Sequence, residues 1–467
     1  MGARGEFIYK EMGTLKLEDV RGGMRRMNDK DQSLLEYDVI GIGIGPFNLG
    51  LAALLDKVDD IHALFLERDT SFVWHPGMLL EGTVLNSNFI ADLVTFADPT
   101  SPYTFLNYLH KKNRLYQFFF NKKMNMPRRE YEAYGQWVAD QLSSCRFGKL
   151  VTDVQERKER DGYLVTVADA ATGREEQMRA KHIVVGTGSK PLIPEKLKPY
   201  IGEDIFHSSS YRRVSARLKH GEEVTVVGSG QSAAEIFYDL LKDQKYYHYK
   251  LSWFTRSTQF FQAESAKLAR EVFSPDYVSY FRTLPEEERV QALPALDQAR
   301  KGIEPQTLME IYDLLYHRSI EREDPFVTLQ ALTEVTDVSY SSDGRVKLKA
   351  SQWQKNEEFT WESDKVILAT GYKPDIPEWF HHFEHVIEKE ASGERYLIDD
   401  HFKLSFTDGR KHSIFMLTGI DHAHGTASTN LGLSVFRNQT IINEIAGREV
   451  YPIEQGTIFQ QFQPKGG

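Results

Sequence analysis

Twice in this chain, nearly two hundred residues apart, a short β-branched strand runs into a glycine turn and then into a helix of small residues. The first copy is Tyr37-Asp38-Val39-Ile40-Gly41-Ile42-Gly43-Ile44-Gly45-Pro46-Phe47-Asn48, with a helix expected over 49–55. The second is Glu223-Val224-Thr225-Val226-Val227-Gly228-Ser229-Gly230-Gln231-Ser232-Ala233, with a helix expected over 236–241. In such a unit the first glycine permits the tight turn and the second lets backbone approach a pyrophosphate. The helix N-terminus supplies free N–H groups and the positive end of a dipole. One such fingerprint is weak evidence. Two, each after a strand and before a helix, imply two dinucleotide-binding units.

The strand downstream of each fingerprint separates the ligands. After the first, the apolar run Ala63 to Leu66 ends on Glu67, an acid placed to hold a ribose diol. Asn48 stands where a third glycine is usual. After the second, the run Leu251 to Thr255 ends on Arg256 and Ser257, a cation where an acid would serve NADH, so the spacing favours the 2′-phosphate of NADPH. Two such sites on one chain imply electron transfer from NADPH into a bound flavin, for which side chains supply no redox group. The expected cofactors are therefore FAD and NADPH.

Two further strands stop on glycine, at Val185-Gly186-Thr187-Gly188 and at Ala369-Thr370-Gly371-Tyr372, as a chain crossing between domains does. The expected fold class is α/β: two Rossmann-like dinucleotide-binding domains plus a small, mostly helical substrate region. The expected boundaries are an arm over 1–34, the FAD domain over 35–205, and an inserted NADPH domain over 206–365. A helical substrate segment falls near 260–320, and 366–467 returns to complete and close the FAD domain. Helices are expected around 127–144 and 284–318. Alternating apolar and polar residues at Tyr163 to Ala168 and at Arg345 to Trp361 predict small accessory sheets.

Composition excludes several classes. A formal charge of -10 argues against a general polyanion binder. The single cysteine, Cys145, rules out an intramolecular disulfide, a CxxC redox centre and a multi-cysteine metal site, so the disulfide reductases that share this architecture are excluded; Cys145 itself reads as a core residue. No metal site is expected. With no secretory h-region and no run near the length of a membrane span, the chain is expected to be cytoplasmic.

Six stretches carry a resemblance: Phe72-Val73-Trp74-His75-Pro76-Gly77-Met78, Asp98-Pro99-Thr100-Ser101-Pro102-Tyr103-Thr104-Phe105-Leu106-Asn107-Tyr108-Leu109, Pro127-Arg128-Arg129-Glu130-Tyr131, Phe206-His207-Ser208-Ser209-Ser210-Tyr211, Ala369 to Tyr372, and His424-Gly425-Thr426 with Asn430-Leu431. With these the chain resembles, over about 37–447, the N-hydroxylating flavin monooxygenases that act on lysine, ornithine and diamines for hydroxamate siderophores. The looser F-x-G-x-x-x-H-x-x-x-(Y/W) signature of other flavin monooxygenases is met by Tyr200, Gly202, His207 and Tyr211, with one extra residue before the histidine.

The resemblance implies a cycle in which NADPH reduces FAD, O2 adds at the flavin C4a position, and the terminal oxygen passes to a neutral amine. A free alkylamine, with a pKa of about 10.4, is neutral in only about one molecule in a thousand near pH 7, so the pocket must favour the deprotonated form. By resemblance, Trp74, His75, Met78 and Asn86 line the flavin ring, with His75 read as a structural histidine, and His424 and Gly425 close over it. Gly43, Gly45, Pro46, Phe47, Asn48 and Glu67 complete the FAD site. Gly228, Ser229, Gly230, Gln231, Ser232, Arg256, Ser257, Thr370, Gly371 and Tyr372 make the NADPH site. Partners are the amine and O2, and relatives are homotetramers or dimers.

Substrate choice turns on Asn86-Ser87-Asn88-Phe89-Ile90-Ala91-Asp92-Leu93. In amino-acid-hydroxylating relatives the stretch resembles Q-x-x-F-(L/I)-K-D-L, whose lysine pairs with the α-carboxylate. Ala91 stands at that position, which points to cadaverine, putrescine or 1,3-diaminopropane. If Arg270 replaces the missing cation, the substrate is L-lysine or L-ornithine instead. Asp92, Glu264 and Glu271 are the candidates for a diamine's far ammonium. An NADPH oxidase without substrate oxygenation and a non-catalytic redox sensor are the competing readings.

Overall fold

The computed structural model describes residues 34–157, 161–218, 222–320 and 326–464. Apart from its last residue, the expected arm lies outside them.

The first fingerprint strand, Glu36–Ile42, lies between Ala63–Leu66 and Glu175–Val185, parallel to both. Cys145–Arg146 continues the parallel order on one side, and Ile414–Met416 on the other. Val39, Ile40, Phe65, Val184 and Phe415 are fully buried, as expected of parallel strands covered on both faces. The eleven-residue strand Glu175–Val185 has two partners along one edge. Its second half takes Ile414–Met416, and its first half takes Tyr163–Asp169 in antiparallel register, with Lys149–Glu156 beyond. The alternation at Tyr163 therefore belongs to this sheet rather than to a separate accessory one.

The second sheet is parallel throughout, in the order Ile205–His207, Lys365–Leu368, Glu223–Val227, Lys250–Phe254, Val327–Gln330. It reaches past the expected boundary at 365. Val366, Ile367 and Leu368 are fully buried, and this β-branched run completes the parallel core beside the fingerprint strand. Strands Thr333–Tyr340, Val346–Gln352 and Glu357–Ser363 form the accessory sheet expected there.

The helical stretch expected at 284–318 is two helices, Glu286–Lys301 and Pro305–Ile320, divided at Gly302. Glu286, Glu287 and Glu288 open the first of these and Arg300 and Lys301 end it, each matching the helix dipole. Pro305–Ile320 packs on the second fingerprint helix, Gln231–Tyr247, whereas Glu286–Lys301 and Pro275–Thr283 pack on the stretch that carries His424. The C-terminal tail straps this region down: Asp276 accepts from the backbone N–H of Gly456 and Thr457, and Glu271 from those of Phe459 and Gln460. Phe462 then packs on Tyr277 and Tyr280.

Candidate active site

At the carboxyl edge of the first sheet, Gly43 adopts φ +85°, and a Cβ there would lie 2.7 Å from the Gly186 carbonyl oxygen. Only glycine fits both demands. Gly45 caps helix Pro46–Leu55 with φ -81° and ψ 180°, makes no side-chain cap, and has nothing within 4 Å of the position its Cβ would take. Pro46 fills the first helical position, where no N–H is needed. The result is an open cradle of backbone N–H groups, the shape a diphosphate requires. One Glu67 oxygen accepts from the Ile44 N–H at 2.8 Å and the other from the Asp69 N–H at 3.0 Å, so the acid braces the turn and keeps further lone pairs for a diol.

The Asn48 side chain turns inward. It is buried, and its Nδ2 donates to the carbonyls of Gly43 (2.8 Å) and Ile42 (3.3 Å), tying the turn to the strand end instead of reaching into the cradle. Met78 lies deeper still. It is 2% exposed and sits in the hydrophobic core of the second sheet with Leu80, Phe206 and Tyr211, where an unbranched thioether fills space between the two units.

The second fingerprint has the same strand, glycine turn and helix start, but a Cβ on Gly230 would lie 3.4 Å from the Lys301 carbonyl oxygen. Gly228 has φ +156° and stands so close to Ala369 that a Cβ would lie 2.3 Å from its carbonyl oxygen. Gly230 caps the helix with no side-chain bond, and Ser229 and Ser232 stand half-buried at the same opening. Gln231 is already engaged: its amide donates to Glu235 and Thr307, and its oxygen accepts from the Glu304 N–H at 2.7 Å. That leaves no spare side-chain donor, so the amide splices the fingerprint helix to the helical region. The Arg256 side chain is 76% exposed, 3.8 Å from Glu334, with its carbonyl held by the Trp353 indole. Ser257 is pinned through its N–H to Thr255 and its carbonyl to Leu332.

Between the two sheets runs a row of rings. Trp74 packs edge-on against Tyr131 and His75, His75 against Tyr372, and Tyr372 against His207 at 5.1 Å. His75 takes a left-handed φ of 49°, uncommon for a residue with a Cβ. Its carbonyl starts the turn Pro76–Met78, consistent with a structural part. His207 Nε2 lies 3.0 Å from the Gly371 carbonyl, and Thr370 Oγ1 donates to Leu192. Burial pushes the Tyr372 phenol up and the His207 imidazole down, favouring the neutral form of each.

Arg270 reaches across 184 residues to Asn86, donating to its backbone oxygen at 3.0 Å and toward its side-chain oxygen at 3.4 Å. Ala91 is 7% exposed, and its Cβ lies 3.5 Å from where one would stand on Gly432. The ammonium acceptors fare unevenly. Asp92 is buried and accepts from the N–H groups of Val94, Thr95 and Phe105 and from the Thr95 hydroxyl, so it is a structural carboxylate. Glu271 is taken by the C-terminal tail. Glu264 spends one oxygen on the Ser265 and Ala266 N–H groups and retains the other.

His424 is 1% exposed, stacks on Phe402 at 4.1 Å, and has Arg282 3.3 Å from Nε2. Burial, with Arg282 and Arg437 beside it, holds its imidazole well below the usual histidine range, so it is neutral. Gly425 follows at φ +56°, against the Phe281 ring.

Two features had no sequence signal of their own. Arg128, which opens helix Arg128–Ala139, pairs with Glu235 on the second fingerprint helix at 2.7 Å, both largely buried. Arg437 lies wholly buried on helix Leu431–Ala446. It shares its face of that helix with Leu433 and Ile441, one turn away on either side.

Among the described residues no cluster of metal-ligating side chains occurs, and no helix is long and apolar enough to cross a membrane. The family described as L-lysine 6-monooxygenase/L-ornithine 5-monooxygenase matches residues 36–374. The chain is 38% identical over 429 residues to a putrescine N-hydroxylase of Shewanella oneidensis, covering 92% of this chain and 84% of that protein. It is 37% identical to the rhizobactin siderophore biosynthesis protein RhbE of Rhizobium meliloti, covering 92% and 95%. Its fold superimposes with a TM-score of 0.88 on the FAD-bound cadaverine monooxygenase of the desferrioxamine pathway from Erwinia amylovora, at 36% identity, covering 92% and 99%. With a matching turn at each fingerprint and these relatives along nearly its whole length, the chain belongs to the flavin-dependent N-hydroxylating monooxygenases of the L-lysine 6-monooxygenase/L-ornithine 5-monooxygenase family.

Proposed function

We propose that the chain uses FAD, NADPH and O2 to N-hydroxylate one amine of a small aliphatic diamine, cadaverine, putrescine or 1,3-diaminopropane, for hydroxamate siderophore synthesis. The observation that carries the substrate assignment is Ala91, a methyl group packed toward Gly432 where a carboxylate-binding cation would be needed. Relatives described as putrescine and cadaverine enzymes support it.

The residues present fit both cofactors. The open cap at Gly45 would take the FAD diphosphate and Glu67 its ribose; the cap at Gly230 and the exposed Arg256 would take NADPH. Bound flavin supplies the redox chemistry that no side chain of this chain offers. The protein's part is to hold, shield and deprotonate. The ring row from Trp74 to His207 lines the space between the sheets with aromatic and imidazole groups. The Arg270 guanidinium at Asn86 pushes a nearby amine toward its neutral form, because a like charge disfavours the ammonium.

Hydroxylamine formation by the wild-type enzyme should be coupled to NADPH consumption and at least about tenfold faster with a diamine than with L-lysine or L-ornithine, since an unpaired buried carboxylate costs several kcal/mol. Arg270 favours the second reading, amino-acid hydroxylation, because it is a cation bonded to Asn86 within this stretch. The same measurement decides: a tenfold preference for lysine or ornithine removes the diamine assignment, and peroxide without hydroxylamine removes both. Ala91→Lys, if folded, should lose diamine turnover and gain lysine turnover.

Arg256→Ala should weaken NADPH by roughly tenfold to a hundredfold and leave NADH unchanged, since only the 2′-phosphate loses a charge-assisted partner. An equal loss for both coenzymes would show that Arg256 supports the loop and does not read the phosphate.

A further inference from the structure

Arg437 is fully buried, yet no carboxylate among the described residues pairs with it. Its Nη1 donates to the carbonyls of Leu417 (3.4 Å) and Ala427 (3.3 Å), while Nε and Nη2 have no partner among the described residues. Desolvation alone brings the guanidinium down to about 9. A buried cation without a counter-charge is strongly destabilising, and folds keep one where a ligand compensates it.

Its surroundings say which ligand. The guanidinium lies 4.2 Å over the ring of Phe47, two residues beyond the open cap at Gly45. The neighbouring Asn438 Nδ2 donates to the Phe47 carbonyl at 3.0 Å, so adjacent residues of one helix grip the same turn. Leu417 follows strand Ile414–Met416, which runs parallel in the first sheet, so its carbonyl stands at the carboxyl edge where open α/β sheets bind ligands. The charge of Arg437 also reaches His424.

We infer that Arg437 is the buried counter-charge of the first dinucleotide site, holding the Phe47 turn and supplying positive potential for the diphosphate of its cofactor; this rests on reading that site as the FAD site. It is a positioning residue, acting through Phe47 and through its field.

The test strips FAD from wild type, Arg437→Met and Arg437→Lys, follows reloading by flavin fluorescence, and melts each protein with and without FAD. Methionine roughly keeps the volume and removes the charge. The Arg437→Met apoprotein should melt at or above the wild-type apoprotein, because a buried charge is gone, while its FAD dissociation constant rises about thirtyfold or more. Arg437→Lys should stay within about fivefold of wild type. FAD affinity of Arg437→Met within about threefold of wild type overturns the inference, as does an equal drop in melting temperature with and without FAD. Should Arg437→Met not fold, Arg437→Lys decides, since a loss beyond about tenfold in a protein with normal apoprotein melting excludes a charge role. A wild-type apoprotein that takes up no FAD would instead refute the FAD reading itself.

Discussion

Gly45→Val yields a folded, colourless protein. The backbone at Gly45 is extended, φ -81° and ψ 180°, and no atom lies within 4 Å of where its Cβ would sit, so valine neither strains the turn nor strikes a neighbour. Loss of a favourable cap residue costs at most about 1 kcal/mol. The new isopropyl group instead fills the open side of the cradle, where the diphosphate must come within hydrogen-bond reach of the N–H groups. Flavin absorbance of the purified variant should be absent while its apoprotein melts close to wild type. Wild-type flavin content would show that the cradle lies elsewhere. Gly43 offers no such separation, because φ +85° and the nearby Gly186 carbonyl oxygen make any replacement a folding defect as well.

Arg128→Ala should destabilise the fold by about 3–5 kcal/mol, since it strands the Glu235 carboxylate, whose side chain is 5% exposed, without its cation. Burial already raises the Glu235 carboxyl above its ordinary value, against the pull of Arg128. Without that pull it rises further, so the folded variant binds a proton at pH values where the unfolded chain does not. The deficit is therefore full at neutral pH, where Glu235 is charged, and shrinks as pH falls toward the carboxylate range. Chemical denaturation at several pH values measures this. A second change, Glu235→Gln, should recover at least half of the loss at neutral pH. A deficit that does not vary with pH would mean that Arg128 matters for packing alone.

The two fingerprints were legible because each is a local device: strand, turn and helix start lie within about a dozen residues, and the glycines answer to backbone geometry that sequence spacing encodes. Glu67 and Arg256 were legible for the same reason, as residues ending the next strand. The bonds made by the Asn48 and Gln231 amides were not legible, because both residues belong to a fingerprint and yet spend their side chains on protein, a choice fixed by which carbonyls and N–H groups fold back to meet them. Met78 lies in a stretch that carries the family resemblance, and its side chain packs in the core of the second sheet. Arg128 with Glu235, and Arg437 over Phe47, join residues 107 and 390 positions apart. Nothing local announces such partners, and charge in an apolar helix becomes informative only when burial is known.

Both sheets are assembled from distant segments, and this dictates an order of events during synthesis. Lys365–Leu368 lies inside the second sheet and Ile414–Met416 finishes the first. A ribosome that has released residue 300 has therefore exposed both nucleotide turns and completed neither sheet. The edge of Glu223–Val227 and the last three residues of Glu175–Val185 wait, unpaired on one side, for chain still to come. Loop closure over such separations is slow, and open edges of this kind are where chains join one another. The late segments thus complete sheets that the early ones only begin.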